Sequence, residues 1–250
     1  MPPSAETTDL DALIDGLPPH DVLVVGEQHD ADAHHALHAR LVQWLVQRQR
    51  LGSLVLEMAE RGRHTRDLSP QADATAVQAA LAWHEAGWPW VRYGPAVMAA
   101  VRSGVPVLGG NLPRAAMGEA SRDPRWDGLL PQADWQALQN TIAEAHCGLM
   151  PAERLPAMAR IQLGRDDAMA RTLREAHVPG RVTLLLTGQV HADRRRGVPW
   201  HLERHGNSAQ RTQVLIWHSG AHPPAGLQAD RFVATPPLPP QDHCAGLRGR

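Results

Sequence analysis

Apolar positions along this chain fall into short solid runs separated by longer stretches of helical periodicity. The run Asp21-Val22-Leu23-Val24-Val25 is closed by Gly26 and reads as a strand buried on both faces. Leu37, Leu41, Trp44 and Leu45 then recur at spacings of three and four, one face of a helix that Gly52 is expected to stop. Ser53-Leu54-Val55-Leu56 predicts a second strand. Helical segments are predicted through Val77, Ala80 and Leu81, and again over residues 95–102. Val105-Pro106-Val107-Leu108 predicts a third strand, with Pro106 marking its start. One long helical stretch is predicted over residues 131–178. Val182-Thr183-Leu184-Leu185-Leu186 predicts a central strand whose leucines are buried on both faces, and Gln213-Val214-Leu215-Ile216-Trp217 closes the sheet. The alternation predicts an α/β fold with a mostly parallel central sheet flanked by helices. Residues 58–104 and 112–180 should place helical segments over the sheet's C-terminal edge. Residues 10–234 read as a single domain, residues 1–9 as a flexible N-terminus, and the Pro-rich residues 235–250 as a disordered tail.

Parallel sheets of this type bind ligands outside the carboxyl ends of their strands. Here the strand ends are polar. The first strand runs into Gly26-Glu27-Gln28-His29-Asp30, the second into Glu57, the third into Gly109-Gly110-Asn111, and the fourth into Thr187-Gly188-Gln189-Val190-His191. If these strands are neighbours, Glu27, His29, Glu57, Asn111 and His191 converge on one edge. Two imidazoles and two carboxylates suit a divalent metal such as zinc, iron or manganese, held by Glu27, His29, Glu57 and His191. The same four suit general acid–base catalysis. Each carboxylate, taken singly, also suits a helix cap or a loop anchor. The following helix carries His34, His35 and His38. His34 and His38 share its core face, which reads as a hydrogen-bonded histidine pair, with one of them pointing back toward the site as the sharper reading.

Composition changes this picture in three places. The chain has 250 residues, 25 basic and 26 acidic, so its balance gives no electrostatic case for nucleic acid. Histidine is abundant, at 15 residues, which favours metal or haem chemistry. Tyr93 is the only tyrosine and stands in Trp83-His84-Glu85-Ala86-Gly87-Trp88-Pro89-Trp90-Val91-Arg92-Tyr93, a segment with three of the eight tryptophans. That cluster suits core packing or an apolar wall for a flat macrocycle, with Tyr93 as an oxygen ligand. The two cysteines, Cys147 and Cys244, exclude a Cys-rich zinc site, and a disulfide between them is left open. No apolar run is long enough for a transmembrane segment. The beginning of the chain shows no signal peptide, so a cytoplasmic location is expected as written, and a periplasmic or membrane-anchored one if a leader has been removed.

The motifs together resemble the ChaN-like haem-binding family. The likeness rests on Val24-Val25-Gly26-Glu27-Gln28-His29-Asp30 with His34-His35, on Leu56-Glu57-Met58, and on the Trp90 and Tyr93-Gly94-Pro95 segment. It continues through Gly110-Asn111-Leu112-Pro113, His146-Cys147-Gly148-Leu149-Met150-Pro151, Gln162, Arg165-Asp166 and Met169-Ala170, and ends on Thr187-Gly188-Gln189-Val190-His191 and Gly197-Val198-Pro199. The resemblance implies an α/β fold and haem binding, in haem or iron acquisition or handling. Residues expected to hold haem are Tyr93 as axial ligand, with His35, Trp90 and Asn111 near it and Arg92 or Arg114 pairing with propionates. The family is similar to the erythromycin esterases and Tiki/TraB proteases, which implies the alternative of a metal-dependent hydrolase of ester or amide bonds using Glu27, His29, Glu57 and His191. Two features depart from the family pattern. The chain shows no lipobox cysteine near its start, and Gly188-Gln189-Val190-His191 stands where Gly-x-Gly-His is common. The expected partner is haem or another small molecule, and a homodimer is left open.

Overall fold

A computed structural model describes residues 9–206, 211–239, 242, 244 and 245. In chain order its elements are α1 (Leu10–Asp15), β1 (Val22–Glu27), α2 (Asp32–Gln47), β2 (Leu51–Glu60), α3 (Ala74–Ala80), α4 (Trp90–Arg102) and β3 (Val107–Asn111). There follow α5 (Met117–Ala120), α6 (Gln132–Ala145), α7 (Leu155–Glu175), β4 (Val182–Gly188), α8 (Val198–Arg204), β5 (Thr212–Ser219) and β6 (Arg231–Thr235). The six strands pair in the order β3-β2-β4-β1-β5-β6, and every pairing is parallel.

Burial explains the layers. On one face Leu23, Val25, Leu54, Leu56, Leu184, Leu186, Leu215 and Trp217 join a core with Leu37, Leu41, Val42 and Leu45 of α2 and Ala96, Val97 and Val101 of α4. On the other, Val22, Val24, Val55, Leu185, Val214 and Ile216 meet Met169, Ala170 and Leu173 of α7 and Val198 and Leu202 of α8. Solid apolar runs therefore supply both faces, because successive strand residues point to opposite sides. The helix after β1 leaves toward one face and the helix after β4 toward the other. A crevice opens where two such neighbouring strands diverge, above their carboxyl ends.

Three expectations are corrected. The α2 helix ends at Gln47, and Gln49 makes the turn with a φ of 56°. Gly52 does not stop that helix. It lies inside β2, where a Cβ would stand 2.9 Å from the Cβ of Val178 and 3.0 Å from that of Arg181, so the strand passes the α7–β4 connection only without a side chain. The stretch over residues 131–178 is two helices, α6 and α7. Cys147 and Gly148 take left-handed φ values of 59° and 68° between them, and Pro151 precedes a short 3-10 turn over Ala152–Arg154. A sixth strand, β6, also adds to the sheet. Thr235, expected in the tail, ends that strand fully buried. Residues 1–8, 240, 241, 243 and 246–250 of the two expected loose ends lie outside the described residues. No helix among the described residues is long and apolar enough to cross a membrane.

Candidate functional site

Strand order brings the predicted residues together. Glu27 ends β1 beside Gly188 of β4, and Glu57 belongs to β2 on the other side of β4. Both carboxylates are buried, Glu27 at 1% and Glu57 at 2% exposure. A buried carboxylate survives only when its lone pairs are used. Oε1 of Glu27 accepts from Nδ1 of His29 at 2.8 Å and from the Tyr93 hydroxyl at 2.7 Å. Its Oε2 faces Nδ1 of His38 at 3.1 Å and Nε2 of His35 at 3.4 Å. Burial pushes the Glu27 pKa up, but the charge of His38 and the hydrogen bonds of His29, His35 and His38 outweigh it and hold the group well below the usual range.

Glu57 is served from three elements. Oε1 meets Nη2 of Arg165 at 2.8 Å and Nε2 of His191 at 3.3 Å. Oε2 accepts from the Thr187 hydroxyl at 2.8 Å and from the Gly188 N–H at 2.7 Å. Burial opposes ionisation here too, and His191 first, then Arg165 and His29, hold its pKa well below the ordinary value. His191 also places Nδ1 2.5 Å from Oδ1 of Asp166. Burial lowers the pKa of His191, but Glu57 and Asp166 raise it further, to about 9. At Gly188 a Cβ would lie 2.8 Å from Nε2 of His29, so a side chain there would push His29 out of its place.

His29 stands between the two carboxylates, with Nε2 4.0 Å from Oε2 of Glu57. Its side chain is 41% exposed, the most open imidazole of the group. Burial lowers its pKa, and Glu27 and then Glu57 raise it above the ordinary value. The result is a row of polar groups from Asp166 through His191 to Glu57 and, across a 4.0 Å gap, from His29 through Glu27 to Tyr93.

Above this row is a cavity of about 1080 Å³, just above the ~300–1,000 Å³ usual for small-molecule sites. Glu27, His29, Glu57, Tyr93 and His191 form its floor. Trp88, Pro89 and Arg92 make one wall, and Leu138, Ile142, Met158 and Ile161 the opposite one, so the walls are largely apolar. Trp88 meets His29 edge-on at 4.8 Å between ring centroids. Arg92 donates to the His29 carbonyl at 3.1 Å and to Asp32 at 3.1 Å.

Other predicted residues lie outside that lining. Trp90 packs behind Tyr93 against Trp83, at 4.9 Å between rings, and Trp88 is the tryptophan that faces the cavity. His35 sits behind Glu27. Asn111 braces Glu57 by donating to its carbonyl at 2.8 Å and accepting from Arg165 at 2.9 Å. Arg114 uses its backbone N–H to bind Glu60, and its side chain is not part of the cavity. Among the helix histidines, His38 approaches Glu27 from the core side and does not line the cavity. His34 instead accepts the Gln28 N–H at Nδ1, 3.0 Å, and presents Nε2 to Thr235 Oγ1 at 3.0 Å.

Sequence reading gave no role to Gln162, Arg165 and Asp166. All three contact the strand-end groups from α7: the Gln162 carboxamide lies 3.1 Å from the His191 ring. A signal was present, since 162, 165, 166 and 169 share one helical face. The divalent-metal reading of Glu27, His29, Glu57 and His191 finds no support. Among the described residues no group of three or more His, Cys, Asp or Glu is arranged to hold a metal ion. The reason is visible at Glu57, whose lone pairs are occupied by a guanidinium, an imidazole, a hydroxyl and a backbone N–H.

Fold and site thus define an α/β protein with a large half-apolar cavity over buried carboxylate–histidine pairs. The family described as haem-binding uptake, Tiki superfamily, ChaN matches residues 13–202. The chain belongs to this family. Its structure is similar to ChaN of Campylobacter jejuni, described as showing cofacial heme binding, with 23% identity, a TM-score of 0.70, and 88% of this chain and 91% of that one covered. That likeness shows the fold. Two looser likenesses are to the erythromycin esterase EreC in its open conformation, 14% identical with a TM-score of 0.47 over 84% of this chain and 72% of that one, and to the type III effector HopBA1, 14% identical with a TM-score of 0.49 over 87% and 88%. No curated protein matches the chain.

Proposed function

We propose that this protein binds haem in the cavity over the sheet's carboxyl edge, with Tyr93 as the iron ligand, in haem or iron acquisition or handling. One observation carries the reading: the hydroxyl of the only tyrosine lies on the cavity floor, hydrogen-bonded to an ionised, buried Glu27. The residues present fit the group, since the walls are apolar and Tyr93 is an oxygen donor of a type attested for haem. Bound haem supplies a Lewis-acidic iron that favours tyrosinate over tyrosine. Without it, burial and then the Glu27 charge push the Tyr93 pKa up and keep the phenol protonated. The phenol proton is held in the hydrogen bond to Glu27 Oε1, and it is the proton that Tyr93 would have to shed to hold iron. Arg92, at the wall, is a cation that could turn from Asp32 to a propionate. The Cys147–Cys244 disulfide supports an oxidising compartment, where such bonds persist. Titration of the apoprotein with haemin is expected to give a Soret band at one site. Tyr93→Phe should weaken binding by more than the roughly 10–100-fold typical of losing a group that only supports a metal ligand. An unchanged spectrum and affinity would remove Tyr93 from the ligand role, and no Soret band in the wild type would sink the haem reading.

A second reading is hydrolysis of an ester or amide, and one observation favours it. His29 is held by Glu27 through Nδ1, lines the cavity with a 41% exposed side chain, and keeps its Nε2 4.0 Å from Glu57, the arrangement of an oriented general base. Because its pKa is raised, the base form appears only above the ordinary histidine range. Hydrolysis of a p-nitrophenyl ester should therefore rise with pH only above the range where an ordinary histidine titrates, and vanish in His29→Asn. Turnover that persists in that variant rejects His29 as the base.

A further inference from the structure

The cavity wall contains one covalent tie whose place in that wall neither reading uses. Cys147 and Cys244 are joined across 97 residues, with their Cα atoms 5.7 Å apart, and both line the cavity. Cys147 directly continues the α6 wall, which contributes Leu138, Thr141, Ile142 and Ala145. It holds a left-handed φ of 59°, a conformation non-glycine residues rarely adopt. Upstream in the chain, Thr235 ends β6 at the carboxyl edge of the sheet. The Thr235 hydroxyl donates to the His218 carbonyl at 3.2 Å, and Thr235 meets His34, which in turn binds the Gln28 N–H beside His29. Cys244 is thus pinned to one wall, and Thr235 is held at the sheet edge.

We propose that the Cys147–Cys244 disulfide is a redox latch on the cavity. While it is intact, Cys244 completes the wall and α6 is held in place. Reduction releases Cys244 and opens the α6 side. The chemistry is thiol–disulfide exchange with a dithiol. A thiolate of the dithiol attacks one cysteine sulfur, and the other leaves as a thiolate and takes up a proton. The second thiol of the dithiol then resolves the mixed disulfide, so two electrons pass to the protein and the dithiol leaves oxidised. Cys244 stands nine positions after Thr235, so the freed thiol stays within roughly 30 Å of Thr235 and the latch can close again.

The test compares oxidised protein, protein reduced with dithiothreitol, Cys244→Ser and Cys147→Ser, by hydrogen exchange without ligand and by haemin release. Exchange over residues 138–146 should rise about 10-fold on reduction and in both variants, while β1 and β4 stay unchanged. Neither variant should respond to dithiothreitol. Haemin release, the part that rests on the haem reading, should accelerate in parallel. Acceleration spread evenly over the sheet would mark a merely structural disulfide and overturn the latch, as would unchanged exchange at residues 138–146. Two free thiols in the air-purified protein would overturn it as well. If exchange responds as expected but no form binds haemin, the latch stands and the haem reading falls.

Discussion

Glu57→Ala is expected to cost about 3–5 kcal/mol of folding stability at neutral pH, the range for breaking a buried ion pair from one side. Removing this carboxylate leaves Arg165 and His191 without their shared anion, and leaves the Thr187 hydroxyl and Gly188 N–H without an acceptor in a buried place. Urea denaturation of wild type and variant at pH 7 measures the difference, and a loss below ~1 kcal/mol would show that water replaces the carboxylate freely. The pH dependence has two opposite limbs. Glu57 has a depressed folded pKa, so its contribution is present above the unfolded carboxylate value and is lost as pH falls through the folded one. His191 has a raised folded pKa, so its contribution is complete below the ordinary histidine value and is lost as pH rises through about 9. Glu57→Ala should flatten both limbs, because it removes the anion and the main reason for the His191 shift.

Leu185→Ala is expected to cost about 2–5 kcal/mol through lost burial and the cavity left behind. Leu185 is fully buried in central strand β4, between Val24 of β1 and Val55 of β2, and packs in the core that includes Met169 and Leu173 of α7. The site groups Thr187 and Gly188 follow two and three residues later on the same strand, yet they are held by Glu57 rather than by Leu185. Haemin binding at low denaturant should therefore match wild type. A stability loss below ~1 kcal/mol would mean that the surrounding helices collapse onto the site.

The parts of the site legible in the sequence were those carried by local pattern. A solid apolar run ending in a polar residue marks a buried parallel strand and its carboxyl end, and Glu27, His29, Glu57 and His191 were found that way. Trp90 and Arg114 were placed by neighbourhood in sequence, and the structure turns both away from the cavity. A helical segment presents adjacent residues about 100° apart, so proximity in sequence does not fix which side chain faces a ligand. β6 escaped because Arg231-Phe232-Val233-Ala234-Thr235 is short, lies at the sheet edge and runs into prolines, so only pairing with β5 identifies it. Gln162, Arg165 and Asp166 had the spacing of one helix face, but nothing local indicated that this face covers charge.

The sequence alone determined that this chain makes parallel strands with chemistry at their ends, because hydrophobic periodicity is a local property set by the geometry of strand and helix. Only the tertiary structure decided that β4 lies between β1 and β2, which puts His191 against Glu57 and His29 between both carboxylates. Strand order depends on how all the helices share the two faces of the sheet, and no short window of residues contains that. The same holds for the Tyr93 hydroxyl pointing at Glu27 and for Cys147 meeting Cys244 across 97 residues. These are contacts between side chains distant in sequence, fixed by close packing of the folded core.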